Sequence, residues 1–130
     1  MSFARITGAA VVLAAVCGLA APATAAQLLE SYDARLSTAD HFNSNGERLT
    51  SPAAIIRQDR ANFHKFHVRD REDQNDGYFA RAENRALMER LLEAGRTPRE
   101  ARDAIVDGTP MIHVEVWRGD GRDWVEVSIY

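Results

Sequence analysis

Strict alternation of apolar and polar residues marks the last twenty positions. Ile112, Val114 and Val116 are interleaved with Met111, His113, Glu115 and Trp117, and Val125, Val127 and Ile129 with Trp124, Glu126, Ser128 and Tyr130. A period of two sends successive side chains to opposite faces, so each run predicts a strand with one aliphatic face. Between them lies Gly119-Asp120-Gly121-Arg122. An Asp-Gly pair tolerates the positive φ of a two-residue turn, which predicts a hairpin. That turn sets Arg118 opposite Asp123, Trp117 opposite Trp124, Val116 opposite Val125 and Glu115 opposite Glu126. Continuing, it sets Val114 opposite Val127, His113 opposite Ser128 and Met111 opposite Tyr130.

Upstream, the helical period takes over. Thr50 or Ser51 is a cap with Pro52 at the first helical position, and Ala53, Ile56, Phe63 and Phe66 form an inward stripe with Ile55 beside it. A polar loop over 38–50, with Asn43-Ser44-Asn45-Gly46 as its turn, precedes this helix, and the charged stretch 69–77 follows it. A second helix is predicted from Tyr78 to Ala94, with Gly95 as a left-handed C-terminal cap. Thr97-Pro98-Arg99-Glu100 reads as a capping box opening a short third helix that ends near Asp107-Gly108. Residues 28–37 fit two templates. Tyr32, Ala34 and Leu36 share one face of a strand, whereas Leu28, Leu29, Tyr32 and Leu36 share one face of a helix. The strand is preferred, because a lone hairpin gains from a third strand. The expected fold is α+β, with three helices packed on one face of a small antiparallel sheet that ends in the C-terminal hairpin.

The N-terminal segment changes where this domain is expected to work. Met1–Arg5 carries one basic side chain, and 6–21 is uncharged with Val11, Val12, Leu13, Val16 and Leu19 as its apolar centre. Pro22 and Ala23-Thr24-Ala25 then give the small-x-small pattern of a signal-peptidase site, with cleavage after Ala25 or Ala26. The run is shorter than the ~20 residues of a spanning helix, so a cleaved leader over 1–26 is preferred to a membrane anchor. Val16 before Cys17 departs from the small residue that lipidation wants at that place. The expected product is a periplasmic or secreted domain over 27–130 with no cysteine, since Cys17 is the one cysteine in the chain. Loss of Arg5 leaves 15 basic against 19 acidic residues, so the formal net charge of −3 becomes −4. A mildly acidic, mixed-charge surface argues against a nucleic-acid partner and against an anionic membrane surface.

The hairpin register also places candidate chemistry. Opposite the aliphatic face stand Trp117, Trp124, Tyr130, His113, Glu115 and Glu126, the residues expected to bind a partner. Like charges directly opposite each other weaken a sheet, so Glu115 and Glu126 call for a cation, and Arg35 on a neighbouring strand would supply it. Alternatively, His113, Glu115 and Glu126 form an imidazole–carboxylate set of the kind that holds zinc. Exposed together, the indoles and Tyr130 would make an apolar partner surface. On the first helix His64 and His67 stand one turn apart, and Arg60, near the apolar stripe, needs a carboxylate from Asp59, Asp40 or the sheet. Glu72 to Glu83 follows calcium-loop spacing with Gly77 sixth, but Glu72 and Gln74 stand where Asp or Asn is wanted. For catalysis, Asp40 with His41 or Asp59 with His64 would be base and orienter. Ser44, Thr50 or Ser51 would be nucleophile, yet none sits in a nucleophile elbow, and no HExxH or phosphate loop occurs.

The blocks Asp40-His41-Phe42-Asn43-Ser44-Asn45-Gly46-Glu47-Arg48-Leu49 and Ile55-Ile56-Arg57-Gln58-Asp59-Arg60-Ala61-Asn62-Phe63-His64 resemble small exported proteobacterial proteins of unknown function. The resemblance implies a location and no activity. The sequence therefore leads to a non-catalytic exported binding module. It would use the Trp117/Trp124 face or the 40–50 loop to take an unidentified protein or small molecule, with no cofactor, no assigned metal and no assigned catalytic residue. The alternative is a metal-binding protein or small hydrolase built on the histidines and the Glu115/Glu126 pair.

Overall fold

The computed structural model describes residues 15, 17–19 and 25–130, so the predicted leader lies almost wholly outside the described residues. Residues 28–35 take the strand alternative. β1 (Gln27–Arg35) pairs antiparallel with β2 (Met111–Gly119), which pairs antiparallel with β3 (Arg122–Ile129), giving the order β1-β2-β3 with β2 central. The hairpin register is the predicted one, with Trp117 opposite Trp124, Glu115 opposite Glu126 and His113 opposite Ser128. Asp120 and Gly121 both take positive φ, 50° and 73°, as a two-residue turn matched to strand twist requires. One bulge, between Leu28 and Glu30, interrupts β1.

Among the described residues, the α-helices lie in the connection from β1 to β2. They are α1 (Pro52–Ala61), α2 (Ala82–Ala86), α3 (Met88–Ala94) and α4 (Arg99–Asp107). Their apolar residues meet the aliphatic face of the sheet in a single core. Tyr32, Ala34, Leu36, Ile112, Val114, Val116, Val125 and Val127 come from the strands or the residue just after β1. Ile55, Ile56, Phe79, Met88, Leu91 and Ile105 come from the helical side. No described helix is long and apolar enough to cross a membrane.

Among the described residues, the three expected helices become four because the 78–94 segment is broken. Phe79 N–H donates to Asp76 Oδ2 (2.6 Å) and Asn84 Nδ2 donates to the Tyr78 carbonyl (2.9 Å), which holds 78–81 as a turn. Leu87, at φ −89° and ψ 0°, then separates α2 from α3. Of the predicted end signals, the first holds and the next two do not. Ser51 caps α1, its Oγ accepting from Ala54 N–H at 3.2 Å. Thr97 does not cap α4, because the helix starts one residue late with Pro98 as its N-cap and Thr97 Oγ1 is left buried without a partner. Gly95 is not left-handed (φ −104°); it is needed because a Cβ there would sit 1.8 Å from the Val125 carbonyl oxygen. Phe66 leaves the predicted stripe and is 44% exposed, since the widened turn Asn62–Phe66 ends the α-helical spacing after Ala61.

Both sheet edges take hydrogen bonds from the connecting segment, which limits edge-to-edge pairing. On the β1 side, Gln74 exchanges two hydrogen bonds with the Asp33 backbone, both at 2.9 Å, and Asp73 Oδ1 accepts from Arg35 N–H at 2.9 Å. On the β3 side, Val127 N–H donates to the Arg96 carbonyl at 3.0 Å. Arg60 anchors the loop beneath β1. Fully buried, it lies between the rings of Tyr32 (4.2 Å) and Phe63 (4.7 Å) and bonds Asp59 and Asp76 at 2.8 Å each. The carboxylate predicted for Arg60 is thus Asp59, joined by Asp76.

Candidate functional site

The face of the sheet turned away from the helices is built of rows that cross all three strands. Leu28, Trp117 and Trp124 form one, Ser31, Glu115 and Glu126 the next, and Asp33, His113 and Ser128 the third. Every alternate residue of β2 and β3 must point this way once the valines are committed to the core. The six residues expected from the sequence, His113, Glu115, Trp117, Trp124, Glu126 and Tyr130, are therefore brought onto one surface.

Its electrostatics differ from expectation. Arg35 does not serve the glutamates: its Nε pairs with Glu72 at 3.2 Å and its Nη1 donates to the Thr109 carbonyl at 2.9 Å, at the far end of the sheet. Arg35 stands opposite Met111, and the row of Glu115 contains Ser31 instead, so no strand register brings that guanidinium across. Among the described residues, no ion pair or side-chain hydrogen bond engages Glu115 or Glu126, and both are half-buried. Two like charges thus face each other without an ion-pair partner among the described residues.

Next to them, Asp33 Oδ1 accepts from His113 Nδ1 and from the Tyr130 hydroxyl, both at 2.7 Å. Burial acts to raise the Asp33 carboxyl, but these two bonds outweigh it and hold it below its ordinary value. The bond to Asp33 in turn raises the Tyr130 phenol. At the turn end, Arg118 grips Asp123 with two bonds (2.6 and 2.9 Å) and Tyr78 adds a third (2.8 Å). Asp123 is lowered by that grip, while partial burial and the bond to Asp123 push Tyr78 up to about 12.

The indoles are not the freely exposed patch that alternation suggested. Both are half-buried, Trp117 Nε1 is shielded from solvent without an acceptor, and the Trp124 ring lies over Gly119 and beside Gly95. Tyr130, at 78% exposure, is the open aromatic of the group. His113, Glu115 and Glu126 do not converge as metal ligands; among the described residues, the three-ligand grouping within 4.8 Å is Asp40, Asp59 and Asp70. The row Asp33–His113–Ser128 has the residue types of a hydrolytic triad, with a base oriented by a carboxylate. No hydrogen bond joins Ser128 to His113, so the hydroxyl is not activated by the imidazole.

The other sequence candidates are occupied by the fold. His41 is buried with Nδ1 2.7 Å from the Ser37 carbonyl and Nε2 2.8 Å from the Ile105 carbonyl. His64 Nε2 sits 2.7 Å from Asp76 Oδ1, and His67, at φ 58°, closes the widened turn and does not continue a helical face. Glu72–Glu83 forms no cation loop, since Glu72 pairs with Arg35 and Asp76 with Arg60 and His64. The 40–50 loop borders a groove of about 490 Å³ with Arg57, Lys65 and Phe66 on its other side, where no acid–base pair meets. Asp33 escaped the sequence reading because its partner became visible only with the β1–β2 register. Comparison of the chain with protein-family models, with curated proteins and with solved structures finds no match.

Proposed function

We propose that the chain is an exported binding module that takes a positively charged segment of a partner protein on the open face of its sheet. The observation that carries this reading is the Glu115/Glu126 pair, directly opposed and without an ion-pair partner among the described residues. A Lys or Arg side chain entering that row would relieve the like-charge contact and find two carboxylates at once. The flanking indoles of Trp117 and Trp124 add faces on which an arginine can stack. With hydrogen bonds already taken at both edges, the face is the surface offered, so recognition is through side chains and not through strand addition. Isothermal titration with a Lys/Arg-rich peptide and with its Glu-substituted counterpart tests this. The basic peptide should bind in the micromolar range, more weakly as salt rises, and Glu115→Gln with Glu126→Gln should reduce the affinity at least tenfold. Equal binding of both peptides, or an unchanged affinity in the double variant, would remove the proposal.

A second reading rests on the Asp33–His113 pair, whose geometry suits proton transfer through the Nε2 that no described residue engages. Turnover of an ester or peptide substrate that disappears in His113→Gln while peptide binding persists would support it.

A further inference from the structure

We propose that Asp40, Asp59 and Asp70 form a binding site for a divalent cation of calcium's size and hardness, separate from the sheet face. The three come from different segments: the turn Thr38–His41 after β1, the last helical turn of α1, and the loop beyond the widened turn. One carboxylate oxygen from each lies within 4.8 Å of the other two. Oxygens on opposite sides of a calcium ion bound at roughly 2.4 Å are separated by about that distance, so the cluster spans one coordination sphere without rearranging the backbone.

A second observation points to a ligand. Asp59 is 1% exposed, and Arg60 Nε occupies its Oδ2, whereas Oδ1 is buried with no hydrogen-bond partner. A buried carboxylate oxygen without a donor is costly, and it lies on the same carboxylate that Asp40 and Asp70 approach. The local charge has the same sign. Asp73 lies close by, its Oδ2 accepting from Asp70 N–H at 2.8 Å. Among the described residues, neither Asp40, Asp70 nor Asp73 has an ion-pair partner, and the buried guanidinium of Arg60 is shared between Asp59 and Asp76.

Burial pushes Asp59 well above the ordinary carboxylate range; Arg60 opposes the rise, and Asp40 and Asp73 add to it. Asp40 and Asp73 are raised as well, chiefly by burial. Asp40 is fixed by Ser37 and Asn62, which leaves the carboxylate oriented without neutralising it. Asp70 is half-buried and its side chain takes part in no described hydrogen bond, so it is the accessible ligand through which an ion enters with its remaining waters.

The test is calcium titration of the full chain by calorimetry and thermal melting after treatment with chelator, with magnesium as a parallel arm. The expected result is one calcium per chain with Kd on the order of 10⁻⁴–10⁻³ M, as in extracellular modules, and a higher Tm with calcium than with equal magnesium. Asp70→Asn, which breaks no described bond, should weaken calcium at least tenfold while leaving the calcium-free Tm within a few degrees. Asp59→Asn should also weaken calcium, but with a lower calcium-free Tm, because it removes the charge that pairs with buried Arg60. An unchanged calcium affinity in Asp70→Asn would overturn the site. So would loss of calcium binding in Glu115→Gln/Glu126→Gln, which would place the ion on the sheet face. An equal response to magnesium would overturn the assignment of ion type.

Discussion

Replacing Glu126 by Gln should make this protein more stable while making it a poorer binder. Glu115 and Glu126 are cross-strand partners, one pair along the ladder from Val116/Val125 and two from Trp117/Trp124, and no described cation forms an ion pair with them. Alternation from the turn makes theirs a hydrogen-bonded pair, with Cα atoms about 5.5 Å apart. Two unit charges roughly 6 Å apart at the dielectric of water repel by about 0.7 kcal/mol, and opposed like charges in sheets cost about 0.2–1 kcal/mol. Removing one charge without changing its shape should therefore raise stability by about 0.5 kcal/mol, or about 2–4 °C in Tm for a domain of this size. The gain should appear once, so that the double Gln variant is no more stable than either single one, and it should shrink at high salt as screening removes the repulsion. Urea unfolding of the wild type, both single variants and the double variant, at low and at high salt, measures all of this. A loss of more than about 0.5 kcal/mol in Glu126→Gln would mean the carboxylate is engaged within the fold, and the reasoning behind the binding face would fail.

Further predictions concern the fold that carries the face. Gly95→Ala should cost at least about 3 kcal/mol or displace β3, because its Cβ would collide with the Val125 carbonyl, where no side chain can yield; a Tm within 2 °C of wild type would contradict this. Arg60→Leu should cost about 3–5 kcal/mol by leaving Asp59 buried and unpaired and Asp76 with only His64 and the Phe79 N–H, measurable by urea denaturation, and a neutral result would show that Asp59 is not charged in the fold. His41→Ala should cost about 2–4 kcal/mol, since the Ser37 and Ile105 carbonyls lose their donors. The acid limb follows from Asp33 and Asp123, both held below 3.8. A lowered pKa contributes stability present above the unfolded value and lost as pH falls through the folded one. Asp123→Asn should thus flatten the stability profile below pH 3.8, and an unchanged slope would refute the assignment.

The hairpin was fully legible because its turn chemistry and its period of two agree, and together they fix every partner from Arg118 down to His113. The strand over 27–35 was legible only as one of two alternatives, since Leu28, Leu29, Tyr32 and Leu36 suit a helix equally and the decision rests on pairing with residues some eighty positions away. That same long-range register brings Asp33 to His113 and takes Arg35 away from the glutamates, so the composition of the site was readable but its electrostatics were not. The late start of the helix after the turn at 78–81 follows from side-chain bonds by Asp76, Asn84 and Arg85 to nearby backbone, which local propensity does not encode. The grouping of Asp40, Asp59 and Asp70 likewise exists only after the connection folds back on itself.

The most direct test of the binding face is a ¹H–¹⁵N correlation spectrum of the labelled chain recorded while a Lys/Arg-rich peptide is added. Saturable shifts should gather at 113–117, 124–128 and 31–33, with both indole side chains affected. Shifts confined to the groove beside Arg57, Lys65 and Phe66, or a spectrum that does not change, would contradict the assignment of this surface.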